Sequence, residues 1–142
     1  MRIEEVDHPA DIGFRVFGDT VEQTLGHAAK GLYSLLMESV PDRHSEQRTV
    51  DFECEDLCAL TYDLLEEALV LFETERFVAS SVRVSIGQNR RDGLLRARLD
   101  LDGSCFDECE LVRRYDVKAV TYHEMLVEKQ DGQWMIQVIV DI

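Results

Sequence analysis

The chain has 142 residues, 45% apolar and 31% charged, the profile of one soluble globular domain spanning 1–142. Its 29 acidic and 15 basic residues give a net charge of −14. That balance excludes unaided gripping of a nucleic-acid backbone, because such binding rests on Lys and Arg neutralising phosphates. It favours a cation, a basic protein partner, or plain solubility.

In chain order, "GFRVFG" alternates Phe14 and Val16 against Arg15 and Phe17 and predicts a strand. "DTVEQTLGHAAKGLYSLLME" follows, with Val21, Leu25, Ala28, Ala29, Leu32, Leu35 and Leu36 at helical spacing on one face. Thr20 followed by Gln23 fits a capping box, and Pro41 and Asp42 are the expected stop. "TVDFECE" alternates again through Val50, Phe52 and Cys54; "DLCALTYDLLEEALVLFETE" is a second amphipathic helix through Leu57, Leu60, Leu64, Ala68, Leu69 and Phe72. Two strands then flank a polar turn ending in Asp92-Gly93, with Val82, Val84 and Ile86 inward on one and Leu95, Ala97, Leu99 and Leu101 on the other. "SCFDECELVRRYD" reads as a loop. "VKAVTYHEMLVEKQDGQWMIQVIVDI" reads as a closing hairpin turning at Asp131-Gly132, with His123 and Glu124 mid-strand on opposite faces. Hairpin connections in the second half predict an α+β two-layer sandwich, its sheet largely antiparallel and its two main helices on one face.

Three constellations bear on chemistry. At the end of the chain, Asp141 precedes Ile142 and its carboxylate, and alternation from Val140 turns Asp141 away from the helices. Like charges this close repel unless something positive sits between them, and oxygen donors suit a hard cation such as Ca²⁺, Mg²⁺ or Mn²⁺. A frayed, solvated end is the plainer reading of the same residues. Ahead of the strand beginning near Ile12, "DHPADIG" gathers Asp7, His8 and Asp11, either as further ligands or as a turn in which Asp caps its own backbone. Cys54 with Cys58 and Cys105 with Cys109 have a spacing compatible with zinc, although Cys54 shares a strand face with Val50 and Phe52 and so reads as a small core residue. No nucleophile–base motif, phosphate-cradling Gly-rich loop or dinucleotide fingerprint is present.

"DHPADIGFRVFGDTVEQTLGHAAKGLYSLL", "DLLEEALVLFETERFV", "VKAVTYHEMLV" and the closing "VIVDI" together resemble the archease family, in its order and over nearly its whole length. Archeases are accessory proteins of the RtcB-type RNA ligase, which joins a 2′,3′-cyclic phosphate or 3′-phosphate end to a 5′-hydroxyl using GTP and Mn²⁺. They promote guanylylation and multiple turnover of that ligase. The resemblance therefore implies a non-enzymatic activator in tRNA splicing or RNA repair, meeting RNA only through the ligase. It implies a divalent cation, calcium in the family, on Asp11, Asp141 and the terminal carboxylate of Ile142. His8, Asp7 and Asp116 are candidates for a supporting or partner-facing role. Pro9 stands where the family motif has Thr; Gly103-Ser104 stands for a Gly-Glu pair, and Arg113 and Arg114 stand roughly where a His is usual.

The acidic N-terminus has no apolar signal segment, and no stretch approaches the ~18 apolar residues of a membrane span, so a cytoplasmic protein is expected. Two other classes compete with the activator. A metal-dependent phosphoester hydrolase would use the same carboxylates to activate water. A general chaperone or interaction module would carry the metal incidentally.

Overall fold

A computed structural model describes residues 1–8, 10–88 and 92–142. In chain order the elements are β1 (Ile3–His8), β2 (Asp11–Gly18), α1 (Val21–Leu36), β3 (Glu46–Cys54), α2 (Leu57–Glu75), β4 (Phe77–Gln88) and β5 (Leu95–Cys105). A 3₁₀ turn (Glu108–Glu110), β6 (Ala119–Val120), β7 (Leu126–Gln130) and β8 (Gln133–Asp141) complete it. The architecture is the expected α+β sandwich, and every strand pairing is antiparallel. The strands form two sheets: β1-β2-β8-β6, with β7 also on β8, and β3-β5-β4.

Both helices form where the apolar spacing predicts, and each is capped by its own sequence. Thr20 Oγ1 accepts from Gln23 N–H at 3.1 Å, and Gln23 Oε1 reaches back to the N–H of Asp19 at 2.7 Å. The second half of this box thus lands one residue before the cap. Asp56 caps α2 by accepting from Ala59 N–H at 2.8 Å. The buried stripe of α1 (Leu25, Ala28, Ala29, Leu32, Tyr33) packs on Phe14 and Val16 of β2 and on β4, while α2 adds Leu60, Leu64, Leu65 and Phe72. The helices thereby bridge the two sheets, and one continuous core joins them to Leu99, Leu101, Ile136 and Val138.

Helix α1 ends at Leu36, before Pro41 is reached. The reason is tertiary: Arg114 N–H donates to Leu36 O, Tyr115 N–H to Leu35 O, and Glu38 N–H to Val112 O. The incoming strand-like segment takes the carbonyls of the last turn, so Met37 turns extended. The DHPADIG segment is also not a loop before the first strand. Its first residues end β1, which pairs with β2 from Ile3↔Val16 to His8↔Asp11. Pro9 and the turn residues 89–91 lie outside the described residues.

The closing hairpin turns at Asp131-Gly132 as expected, with φ of 51° and 76°; the glycine accepts this left-handed backbone without strain. The "TYHEM" stretch departs from expectation. Only Ala119 and Val120 pair as a strand, and 121–125 is a turn with Glu124 at φ 51°, so His123 and Glu124 are not mid-strand. β8 is a central strand buried on both faces, where Met135, Gln137 and Ile139 are as covered as Ile136, Val138 and Val140. Its one buried polar side chain is satisfied: Gln137 Oε1 accepts from Arg15 Nε at 2.6 Å, and its Nε2 donates to Glu124 O at 2.8 Å. β5 runs through Cys105, so Gly103 and Ser104 are strand residues, not loop.

Candidate functional site

Asp11 opens β2 and Asp141 closes β8, and the antiparallel register makes them Cα partners. Directly opposed residues project to the same face with Cβ atoms about 4.5–5.5 Å apart. The next pair, Ile12↔Val140, turns to the other face and is buried at 2% and 0% exposure. Alternation therefore drives the apolar pair into the core and leaves both carboxylates on the opposite side. His8 of β1 and Ala119 of β6 are the outer neighbours in register, so the pair lies inside a four-strand row. Lys118 N–H donates to Asp141 O at 2.8 Å and fixes the end of β8. Asp11 is half-buried, with Oδ1 fully covered, whereas Asp141 is exposed.

The other predicted residues take different places. Ile142 packs its side chain partly against the core, which holds its main chain beside Asp141. Asp116 is exposed two residues before Lys118, on the segment tied to Asp141, and its charge acts on Arg113. Asp7 and His8 belong to β1 by backbone; their side chains lie outside the described residues. Among the described residues no group of three or more His, Cys, Asp or Glu side chains could hold a metal. The opposed aspartates thus supply two side-chain carboxylates, and further donors would be main-chain oxygens, the terminal carboxylate or water. Such an all-oxygen set would suit Ca²⁺, Mg²⁺ or Mn²⁺ better than zinc.

The zinc reading of the cysteines fails on topology. Cys54 pairs with Leu95 at one end of β5 and Cys105 sits at the other, roughly 30 Å away at about 3.3 Å per residue. Burial, reinforced by the thiol's bond to Asp63 Oδ2 at 3.3 Å, pushes the Cys54 pKa up to about 11. It is a protonated core thiol, poorly suited to ligate.

Arg113 and Arg114 are engaged in ion pairs. Arg113 donates to both carboxylate oxygens of Glu108 at 2.6 and 2.7 Å, and Arg76 joins at 2.8 Å. Arg113 and then Arg76 hold the Glu108 pKa down to about 2. Arg114 pairs with Glu5 at 3.0 Å and donates to Ser34 O at 2.7 Å, lashing the segment to β1 and α1. Sequence reading missed Lys118 as the main-chain clamp on Asp141. Nothing in "VKAV" reveals that link, because it depends on the β6–β8 pairing.

Comparison with known proteins gives a consistent picture. The chain is 39% identical to protein archease of Thermococcus gammatolerans over 142 residues, covering 99% of each. It is 34% identical to protein archease of Archaeoglobus fulgidus over the whole of both chains. The solution structure of Methanobacterium thermoautotrophicum protein 1598 superposes with a TM-score of 0.81 at 29% identity, covering 99% of this chain and 98% of that one. A Thermotoga maritima crystal structure, described as an archease and possible chaperone, shares the fold with a TM-score of 0.60 at 18% identity and covers 100% and 98%. The profile of the Archease protein family (MTH1598/TM1083) matches residues 3–142, and the chain belongs to that family.

Proposed function

We propose that this chain is a metal-binding accessory protein that activates an RtcB-type RNA ligase, with a divalent cation, calcium first and Mg²⁺ or Mn²⁺ next, held by Asp11, Asp141 and the carboxylate of Ile142. The observation that carries the reading is the register match of Asp11 and Asp141 across β2 and β8. Two carboxylates opposed on one sheet face repel, and a shared cation turns that cost into binding. A bound cation supplies the positive charge that lets an acidic cluster approach nucleotide phosphates. The clamp on Asp141 O by Lys118 N–H fixes the main chain that carries one carboxylate, and the burial of Asp11 Oδ1 restricts the other. Activation of the ligase would follow from presenting this end of the sheet to its nucleotide site, with RNA met through the ligase in keeping with the −14 charge.

The test is reconstitution with the ligase of the same organism at limiting divalent ion, following ligase guanylylation and turnover. Asp11→Ala and Asp141→Ala fold normally and lose activation, and a chain extended after Ile142 activates weakly. Normal activation by either aspartate variant would falsify the site. Phosphoester hydrolysis by the purified protein with metal and no ligase would favour the hydrolase, and capture of many unrelated unfolded clients would favour a general chaperone.

A further inference from the structure

Arginine over aromatic rings is a recurring device in this molecule. Arg2 covers Phe17, Arg43 covers Phe106, Arg48 covers Phe77, Arg113 covers Phe72 and Arg114 covers Tyr115, with guanidinium carbons 3.7 to 5.1 Å from the ring centroids. Tyr122 is an exposed ring that carries no such cover among the described residues. It lies in the 121–125 turn, 54% exposed, and stacks one face on Tyr62 of α2 with centroids 4.4 Å apart and planes 10° from parallel. Among the described residues no arginine or lysine stands over its other face.

Among the described residues, the carboxylates that act on this stack belong to Asp56 and Asp63. Burial first, then Asp63, Tyr62 and Asp56, push the Tyr122 phenol up. Asp56 accepts from Ala59 N–H, Asp63 accepts from the Cys54 thiol, and neither has an ion pair among the described residues. A carboxylate has about four acceptor positions, so both keep capacity for a cationic donor. A shallow depression of about 450 Å³ shares Asp56 and is walled by Leu57, Leu95 and Val127.

We propose that the Tyr62–Tyr122 stack and the carboxylates of Asp56 and Asp63 form a docking site for an arginine side chain of a partner protein. A guanidinium is planar, stacks on an aromatic face and donates in-plane to carboxylates, which is the combination this surface offers. An apolar residue beside the arginine fills the depression next to Asp56. A nucleic-acid base would also stack on a tyrosine, but its phosphates would meet the like charge of Asp56 and Asp63. The site uses neither Asp11 nor Asp141, so it stands or falls apart from the metal centre.

The test is an NMR titration of the folded protein at low salt with a capped hexa-arginine peptide, and in parallel with hexalysine and a uridine decamer. Saturable shifts of the Tyr62 and Tyr122 ring resonances are expected with arginine, weaker ones with lysine and none with the decamer. Tyr122→Ala weakens arginine binding roughly 3- to 30-fold, Asp63→Asn weakens it too, and Tyr122→Phe keeps it. Glu73→Gln, at the far end of α2, controls for nonspecific attraction to an acidic protein and changes little. Equal losses in Tyr122→Ala and Glu73→Gln, shifts scattered over the acidic surface, or saturation by the decamer in place of arginine overturn the assignment.

Discussion

Asp11 and Asp141, from the first and last strands of the central β2–β8 pair, face each other directly in antiparallel register. Without a cation this is a like-charge pair, and like charges directly opposed across two strands cost stability. Asp141→Asn is therefore expected to raise the melting temperature slightly in EDTA. In excess Ca²⁺ the order reverses, because only the native protein gains the stabilisation that binding to the folded state brings. Differential scanning fluorimetry in the two buffers measures the crossover, and parallel responses of both proteins would contradict it.

Gly13, two residues from Asp11, sets how closely β2 approaches β8. A Cβ there would fall 2.4 Å from Val138 O and 2.5 Å from Ile139 Cδ1. The obstructing atoms include main chain of a strand buried on both faces, so there is no cheap relaxation. Gly13→Ala should cost about 1–3 kcal/mol by overpacking, read from urea denaturation, and should weaken Ca²⁺ binding although no ligand is changed. A variant of native stability would mean that the two strands can separate freely.

Acid stability should carry the mark of Glu108. Its folded pKa of about 2 lies below the usual carboxylate range because Arg113 and Arg76 donate to it. A depressed folded pKa contributes stability that is present above the unfolded value near 4.5 and is lost as pH falls through about 2. Glu108→Gln should therefore be less stable than the native protein at pH 7. Its stability should fall less steeply between pH 4.5 and 2, followed by denaturant midpoints across that range. An unchanged acid limb would show that the Arg113 and Arg76 contacts do not persist in solution.

The helices were readable because period and caps agree: Thr20 with Gln23 and the Leu25–Leu32 stripe point the same way. β1 was not, because its partly buried residues, Ile3 and Val6, are three apart and flank two exposed glutamates, which breaks the two-residue period of a half-buried strand. The 121–125 turn hid behind strand-like residues, since its positive-φ position is Glu124 and not Gly or Asn. The early end of α1 is a tertiary effect of Arg114 and Tyr115 on its last carbonyls, invisible to local pattern. The candidate site divides in the same way. Alternation from Val140 gives the face of Asp141, but its partner is chosen by long-range pairing with β2; the DHPADIG spacing offered Asp7, His8 and Asp11 alike, and the family resemblance singled out Asp11. The cysteine spacings alone could not exclude zinc; the separation of the two pairs at opposite ends of β5 does.

Isothermal titration of Ca²⁺ into the native protein, Asp11→Asn and Asp141→Asn addresses the metal centre most directly. One saturable site in the native protein, weakened about tenfold or more in each variant with the far-ultraviolet circular dichroism unchanged, is the predicted result; a tenfold loss corresponds to about 1.4 kcal/mol. Undiminished binding in both variants would contradict a cation shared across β2 and β8.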